Sequence, residues 1–282
     1  MPGDPLARTR SVRYDGVECS ACHACLPSKE QTHEAFVTAA IGTLNEKPLH
    51  AALKEWVAVP GDSFEVRVDG FIADILRGDL LIEIQTRHLG AMKRKLRKLV
   101  EDHPVRLVHP IAAEKWIVRV GEDGETIGRR RSPRRGGVEH VFAELVSFPG
   151  LLGHPNFTLE VLLIREEEIR ARDERGGWRA WRRRGWVTRE RRLLEVLSSH
   201  VLASPADAAA FLPAALPQPF TTRELAGASG QPMWLSQKMV YCLREMGVLT
   251  VVGKRGRSTL FERSDAFLFG RSSICKDPFD LI

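Results

Sequence analysis

The chain has 282 residues, 43% of them hydrophobic, with a net charge of +6 and a pI near 9.2. That is enough material for two domains, each with its own core. No apolar run reaches the length of a membrane span, and the N-terminal MPGDPLARTRSVRYDG lacks the hydrophobic segment of a secretory signal, so a cytoplasmic location without membrane attachment is expected. Five cysteines in a chain this long do not make a secreted disulfide framework. The basic residues are unevenly placed, which favours an anionic partner, nucleic acid first.

Residues 1–31 carry little periodicity and read as a tail with one feature, ECSACHAC. Cys19, Cys22 and Cys25 supply three soft ligands at a spacing that suits zinc or part of an iron–sulfur cluster, with His23 or His33 as a fourth. The plainer reading is an extension with spare thiols. From Thr32 to Val57 the apolar residues recur at helical spacing, and Leu49, Leu53, Trp56 and Val57 form a stripe. Asn45 is a good cap, Pro48 fits only a first turn, and Glu46 then sits at the helix entrance.

Pro60-Gly61-Asp62 makes a turn, Phe64 to Val68 alternates as a strand, and Asp69 reads as a turn residue rather than a ligand. The next stretch, DGFIADILRGDLLIEIQ, is a hairpin with Gly78-Asp79 at its tip. Counting back from that tip places Arg77 opposite Leu80 and Asp74 opposite Glu83, with Gln85 on the same face. Ala73, Ile75, Ile82 and Ile84 then point into a core. Thr86 to Asp102 is an amphipathic helix with a basic outer face that includes Lys93 and Lys95, both candidates for phosphate binding. Two strands follow, Val105 to His109 and Lys115 to Val120, which completes an α/β sandwich around a mixed sheet.

Glu46 on a leading helix, Asp74 on one strand and Glu83-Ile84-Gln85 on the next resemble the PD-(D/E)xK, or restriction-endonuclease-like, nuclease superfamily. The string ADILRGDLLIEIQT is similar to the E-x-Q variant site of CoiA-like nucleases, in which glutamine stands at the usual lysine. The resemblance implies a metal-dependent phosphodiesterase. Asp74 and Glu83 would bind magnesium or manganese, Glu46 would assist, and Gln85 would orient the attacking water. Glutamine brings no positive charge, so Lys93 or Lys95 would have to supply it.

Gly121 to Gly137, with RRRSPRRGG, reads as a basic loop; Val138 to Val146 reads as a helix and Phe157 to Ile164 as a strand. Glu166 to Arg192 is densely charged, with Trp178, Trp181 and Trp186 among arginines that could stack on bases or simply pack. A helix over Arg189 to Leu202 leads to a helix capped by Thr221 or Thr222, a second helix from Pro232 to Met246, and strands at Val248 to Val252 and Ser258 to Phe261. This pattern resembles a winged helix. The resemblance implies that Gln237, Lys238 and Arg244 face the major groove and that Lys254, Arg255 and Arg257 form a wing.

The expected architecture is therefore a flexible segment at 1–31, a nuclease-like α/β domain at 32–165, a connector at 166–188, a winged helix-turn-helix at 189–265 and a tail at 266–282. The expected activity is metal-dependent hydrolysis of phosphodiester bonds, in DNA before RNA. A DNA-binding regulator with a degenerate nuclease fold is the rival, an interaction protein is a third reading, and a homodimer stays open.

Overall fold

The computed structural model describes residues 47–172 and 185–264, all within one compact unit, Leu44–Ile282. Glu46, Cys19, Cys22, Cys25, Trp178 and Trp181 lie outside the described residues. Pro48 opens helix α1 (Pro48–Val57) after Lys47, where its missing N–H costs no hydrogen bond. Three strands then form an antiparallel meander: β1 (Ser63–Val68), β2 (Phe71–Arg77) and β3 (Leu80–Ile84). The β2–β3 register is the one expected from the Gly78 turn, with Arg77 opposite Leu80 and Ile75 opposite Ile82. A bidentate pair from Arg77 to Asp62, at 2.9 and 2.8 Å, ties the hairpin tip to the turn after α1.

Beyond β3 a short 3-10 turn, Leu89–Met92, runs into helix α2 (Lys93–Asp102), which returns the chain for a parallel strand, β4 (Val105–Val120). β4 is one strand where the sequence suggests two. Pro110 is tolerated inside it, and the irregularity falls between Ala112 and Glu114. Its outer half pairs with β5 (Thr126–Arg131), so part of the expected basic loop is an edge strand. After helix α3 (Phe142–Leu145) come β6 (Phe157–Arg172), parallel to β4, and β7 (Trp186–Leu202), antiparallel to β6. The result is a mixed sheet of seven strands flanked by helices, with β1-β2-β3-β4-β6-β7 in order and β5 beside β4.

The expected helix over Arg189 to Leu202 is therefore a strand. Leu193 sits opposite Glu166 and Val196 opposite Ile164, so Leu194 is an extra residue; Leu197 is a second one between Val196 and Ser198. The bulge at Leu194 places the inward residues Leu193 and Val196 three apart, the spacing of a helix turn. The expected connector is likewise strand at both described ends. Glu166 and Glu168 are buried in the sheet, where Lys115, Arg170 and Arg191 neutralise them. The sequence shows only the charge, and charge reads as solvent exposure.

Helix α4 (Pro205–Ala209) leads to α5 (Thr222–Ser229), capped reciprocally by Thr221 and Glu224, then α6 (Met233–Glu245) and the hairpin β8 (Leu249–Arg255) and β9 (Ser258–Arg263). One face of the sheet packs Ile75, Ile82, Ile84, Val108 and Leu162 against Leu49 and Leu53 of α1. A larger core, which Ala73 joins, combines Leu107 and Leu159 of the sheet with α2, α3, α5, α6 and Phe261 of β9. The C-terminal helices and the sheet thus share one apolar interior.

Phe142 lies at the centre of that interior, fully buried, with its ring 5.6 Å from Phe211 and edge-on to it. Phe142→Ala is expected to cost about 3–5 kcal/mol and to leave a single cooperative unfolding transition in urea. Two separate transitions, one for the sheet and one for residues 205–264, would contradict the shared core.

Candidate active site: a buried carboxylate pair beside a basic cleft

The antiparallel ladder between β2 and β3 is registered through Ile75 and Ile82, one step short of Asp74 and Glu83. There Asp74 Oδ2 accepts the Ile84 N–H at 2.8 Å, as a ladder carbonyl would. His50, from the first turn of α1, places Nε2 3.4 Å from the same oxygen. Burial opposes the charge on Asp74, but the contacts with His50 and the Ile84 N–H outweigh it and hold the carboxyl below its usual value.

Glu83 is 2% exposed. Lys95 of α2 brings Nζ to 2.6 Å from Glu83 Oε1 and also donates to the Ile72 carbonyl. The ammonium is close enough for an ion pair but not aligned for a hydrogen bond, and Oε1 has no hydrogen-bond partner. Burial pushes the Glu83 carboxyl up to about 7, against the pull of Lys95 and with a further push from the charge of Asp74. A carboxyl poised near neutrality by burial, with a second carboxylate beside it, is a marker of functional sites.

Gln85 closes β3. Its N–H bonds to the Val108 carbonyl at 3.0 Å, and its own carbonyl accepts at 2.6 Å from Nδ1 of His109. His109 is buried, which lowers its pKa and keeps it neutral; its proton must then lie on Nδ1, since a carbonyl only accepts. The Gln85 amide donates to the Arg87 carbonyl at 2.6 Å. His88 follows with a left-handed backbone, φ 54°, a conformation that costs free energy and concentrates at functional sites. The Leu89 N–H bonds to Glu144 of α3 and fixes this turn.

Beside these residues opens a cleft of about 690 Å³, walled by the start of α1 from Lys47 to His50, by Gln85 to His88, and by Thr188 to Arg191 of β7. Arg191 is spoken for: it donates from Nε to Glu166 at 2.9 Å and from Nη1 to the Thr86 carbonyl at 3.2 Å, bracing β7 against the end of β3. Lys47, Arg87 and Arg189 are further cations in the walls. Asp74 and Glu83 do not line this cleft; His50, which does, connects it to Asp74, while Gln85 lines it with its amide turned to the Arg87 carbonyl.

The structure thus brings Asp74, Glu83 and Lys95 together, and adds His50. Lys95 is turned to Glu83 rather than outward to phosphate, whereas Lys93 faces away. Among the described residues no group of three His, Cys, Asp or Glu side chains is disposed to hold a metal. Hard oxygen donors are nevertheless present in pair, with the Lys95 ammonium 2.6 Å from Glu83 Oε1, and magnesium commonly takes one or two carboxylates with waters and phosphate. The donor set fits such an ion.

In the C-terminal part, Lys238 donates to the Ala143 carbonyl at 3.1 Å and is partly buried against α3, so the expected outward role is corrected. Gln237, Lys254 and Arg257 are exposed; Arg255 pairs with Glu224, and Arg244 pairs with Glu245 and lies over Tyr241. His50 was not legible as a site residue because it approaches from the opposite face of the sheet. Its one signal is position, a helical turn after Glu46.

These observations define an α/β protein whose mixed sheet carries a carboxylate pair, Glu83 buried and Asp74 partly so, next to a basic cleft. The chain belongs to the family described as a domain of unknown function (DUF8091), which matches residues 47–203, from α1 to the end of β7. It is 32% identical over 224 residues to an uncharacterized protein of Treponema pallidum (strain Nichols), covering 79% of this chain and 87% of the relative. No solved structure matches significantly. No helix among the described residues is long and apolar enough to cross a membrane.

Glu83 offers a test of the site's electrostatics. Its folded-state value of about 7 lies above the ordinary 4.5, so the folded state holds the proton more tightly than the unfolded chain. The contribution to stability is full below pH 4.5 and is lost as pH rises through about 7. Relative to Glu83→Gln, the parent is expected to lose roughly 3 kcal/mol between those limits, measured by urea unfolding. A difference that stays constant with pH would refute the assignment.

Proposed function

We propose that this protein is a metal-dependent nuclease of the restriction-endonuclease-like type, with residues 205–264 acting as a winged-helix module that places the nucleic acid. The observation that carries the reading is Lys95 at Glu83: the charge that Gln85 cannot supply comes from the crossover helix, 2.6 Å from the carboxylate. The order helix, three-strand antiparallel meander, helix, parallel strand supports the same reading.

In this mechanism Asp74 and Glu83 would hold the ion. Magnesium or manganese bound there would supply positive charge at the scissile phosphate and lower the pKa of a water. Lys95 favours the ionised form of Glu83 and adds a fixed cation near the developing negative charge. His50 holds Asp74 in its rotamer and faces the cleft, where it can exchange a proton with a leaving oxygen. Lys47, Arg87 and Arg189 attract the backbone into the cleft. DNA is preferred to RNA because of the C-terminal module.

The test is incubation of the full chain with single-stranded, duplex and branched DNA and with RNA, in magnesium or manganese. The parent is expected to cut at least one; Asp74→Ala/Glu83→Ala is expected to cut none; Lys95→Ala is expected to be slower by about 100-fold or more with unchanged folding. Ion binding should also raise the Tm of the parent, more at pH 8 than at pH 6, because the ligand carboxyl must lose its proton. Cleavage by none of the proteins would overturn the hydrolase reading, and DNA binding that persists in all of them would leave a DNA-binding regulator.

A further inference from the structure

The outer face of α2 is not used by the carboxylate site. Lys95 reaches inward and Lys98 pairs with Glu101 at 2.7 Å, which leaves Lys93, Arg94 and Arg97 without an ion pair among the described residues. Lys93 and Arg97 are one helical turn apart and share a side of the helix. Two hollows meet along them. One, of about 700 Å³, runs over the start of α2 towards Phe71, and Lys93, Arg94 and Arg97 all line it. The other, of about 480 Å³, lies between α2 and α6, with the segment Val146 to Leu151 as floor and Tyr241 and Glu245 on the far wall. Glu245 is occupied by Arg244, at 2.8 Å.

We infer that this continuous groove, from α2 across to the exposed face of α6, is a seat for a nucleic-acid backbone, separate from the cleft beside Asp74 and Glu83. Its chemistry is that of a polyanion site. Three cations, Lys93, Arg94 and Arg97, line it without an ion pair among the described residues, while its carboxylates Asp69, Glu101 and Glu245 face His103, Lys98 and Arg244. Tyr241 presents a half-exposed ring on which a base can stack, and Gln237 and Arg244 continue the face along α6. The floor residues Phe148 and Leu151 are turned into the core, so the groove offers charge and main chain rather than the apolar pocket on which a protein partner would anchor. Because α2 holds Glu83 through Lys95 and the groove through Lys93 and Arg97, a strand seated here is fixed relative to the carboxylates by one rigid helix. The choice of nucleic acid as the polyanion rests on the function proposed above; the groove itself does not.

The test is fluorescence anisotropy of a labelled duplex in EDTA, so that nothing is cut, over a range of salt concentrations. Lys93→Gln/Arg97→Gln is expected to weaken binding by roughly tenfold at 0.1 M salt and to lower the slope of log K against log salt by about 2, with an unchanged Tm. Arg130→Gln/Arg134→Gln, which removes the same charge from the exposed end of β5, is expected to leave the slope as it is, and Tyr241→Ala to weaken single-strand binding. Asp74→Ala/Glu83→Ala is expected to bind like the parent; a parent that binds through this groove but cuts nothing when magnesium or manganese is added would fail the nuclease reading and keep this one. The inference is overturned if the parent binds no nucleic acid, if Lys93→Gln/Arg97→Gln binds unchanged, or if the β5 pair loses as much slope, since net charge alone would then explain the affinity. Affinity for anionic vesicles in the absence of affinity for DNA would also overturn it.

Discussion

A strand that runs antiparallel to one neighbour and parallel to the other cannot reach the second through a turn. β3 is such a strand, bonded to β2 through a tight hairpin and to β4 in parallel. The chain must leave the sheet after Ile84, cross a face and come back, and α2 is that crossover. Much of the candidate site follows from this constraint. The crossover lays Lys95 over Glu83, the departure from the sheet produces the left-handed turn at His88, and the ladder that ends before Asp74 leaves an N–H for its carboxylate to take.

The same sheet explains why a strongly charged stretch is structural. β6 and β7 run on for 16 and 17 residues, well past the apolar core. Their outer halves are held by ion pairs inside the sheet layer, with Glu166 buried between Lys115 and Arg191 and Glu168 between Lys115 and Arg170. Buried pairs of this kind add little net stability, but losing one partner strands a charge. Arg191 carries the consequence to the cleft, because the guanidinium that satisfies Glu166 also holds the Thr86 carbonyl. The charge network of the long strands and the shape of the cleft are thus one arrangement.

Features fixed by neighbouring residues were readable in advance. The Gly78 turn sets the β2–β3 register, Pro48 marks the first turn of α1, Thr221, one of the two threonines expected there, caps α5, and the apolar period of α6 survives intact. Each depends on backbone chemistry within a few residues. The misreadings arose where period and polarity lost their usual meaning. The bulge at Leu194 gave Leu193 and Val196 of β7 the spacing of a helix, and buried glutamates gave β6 the look of a linker.

By itself, then, the sequence determined the hairpin that sets Asp74 against Glu83, because turn chemistry and two-residue alternation are local. It could also say that Gln85 brings no positive charge. Only the tertiary structure decided which lysine meets Glu83. Lys93 and Lys95 are equivalent in composition, and they differ in that α2 crosses the sheet with one turned to the carboxylate and the other to the groove beside α6. His50 likewise joins the site from the opposite face, through packing of α1 that no short-range pattern encodes.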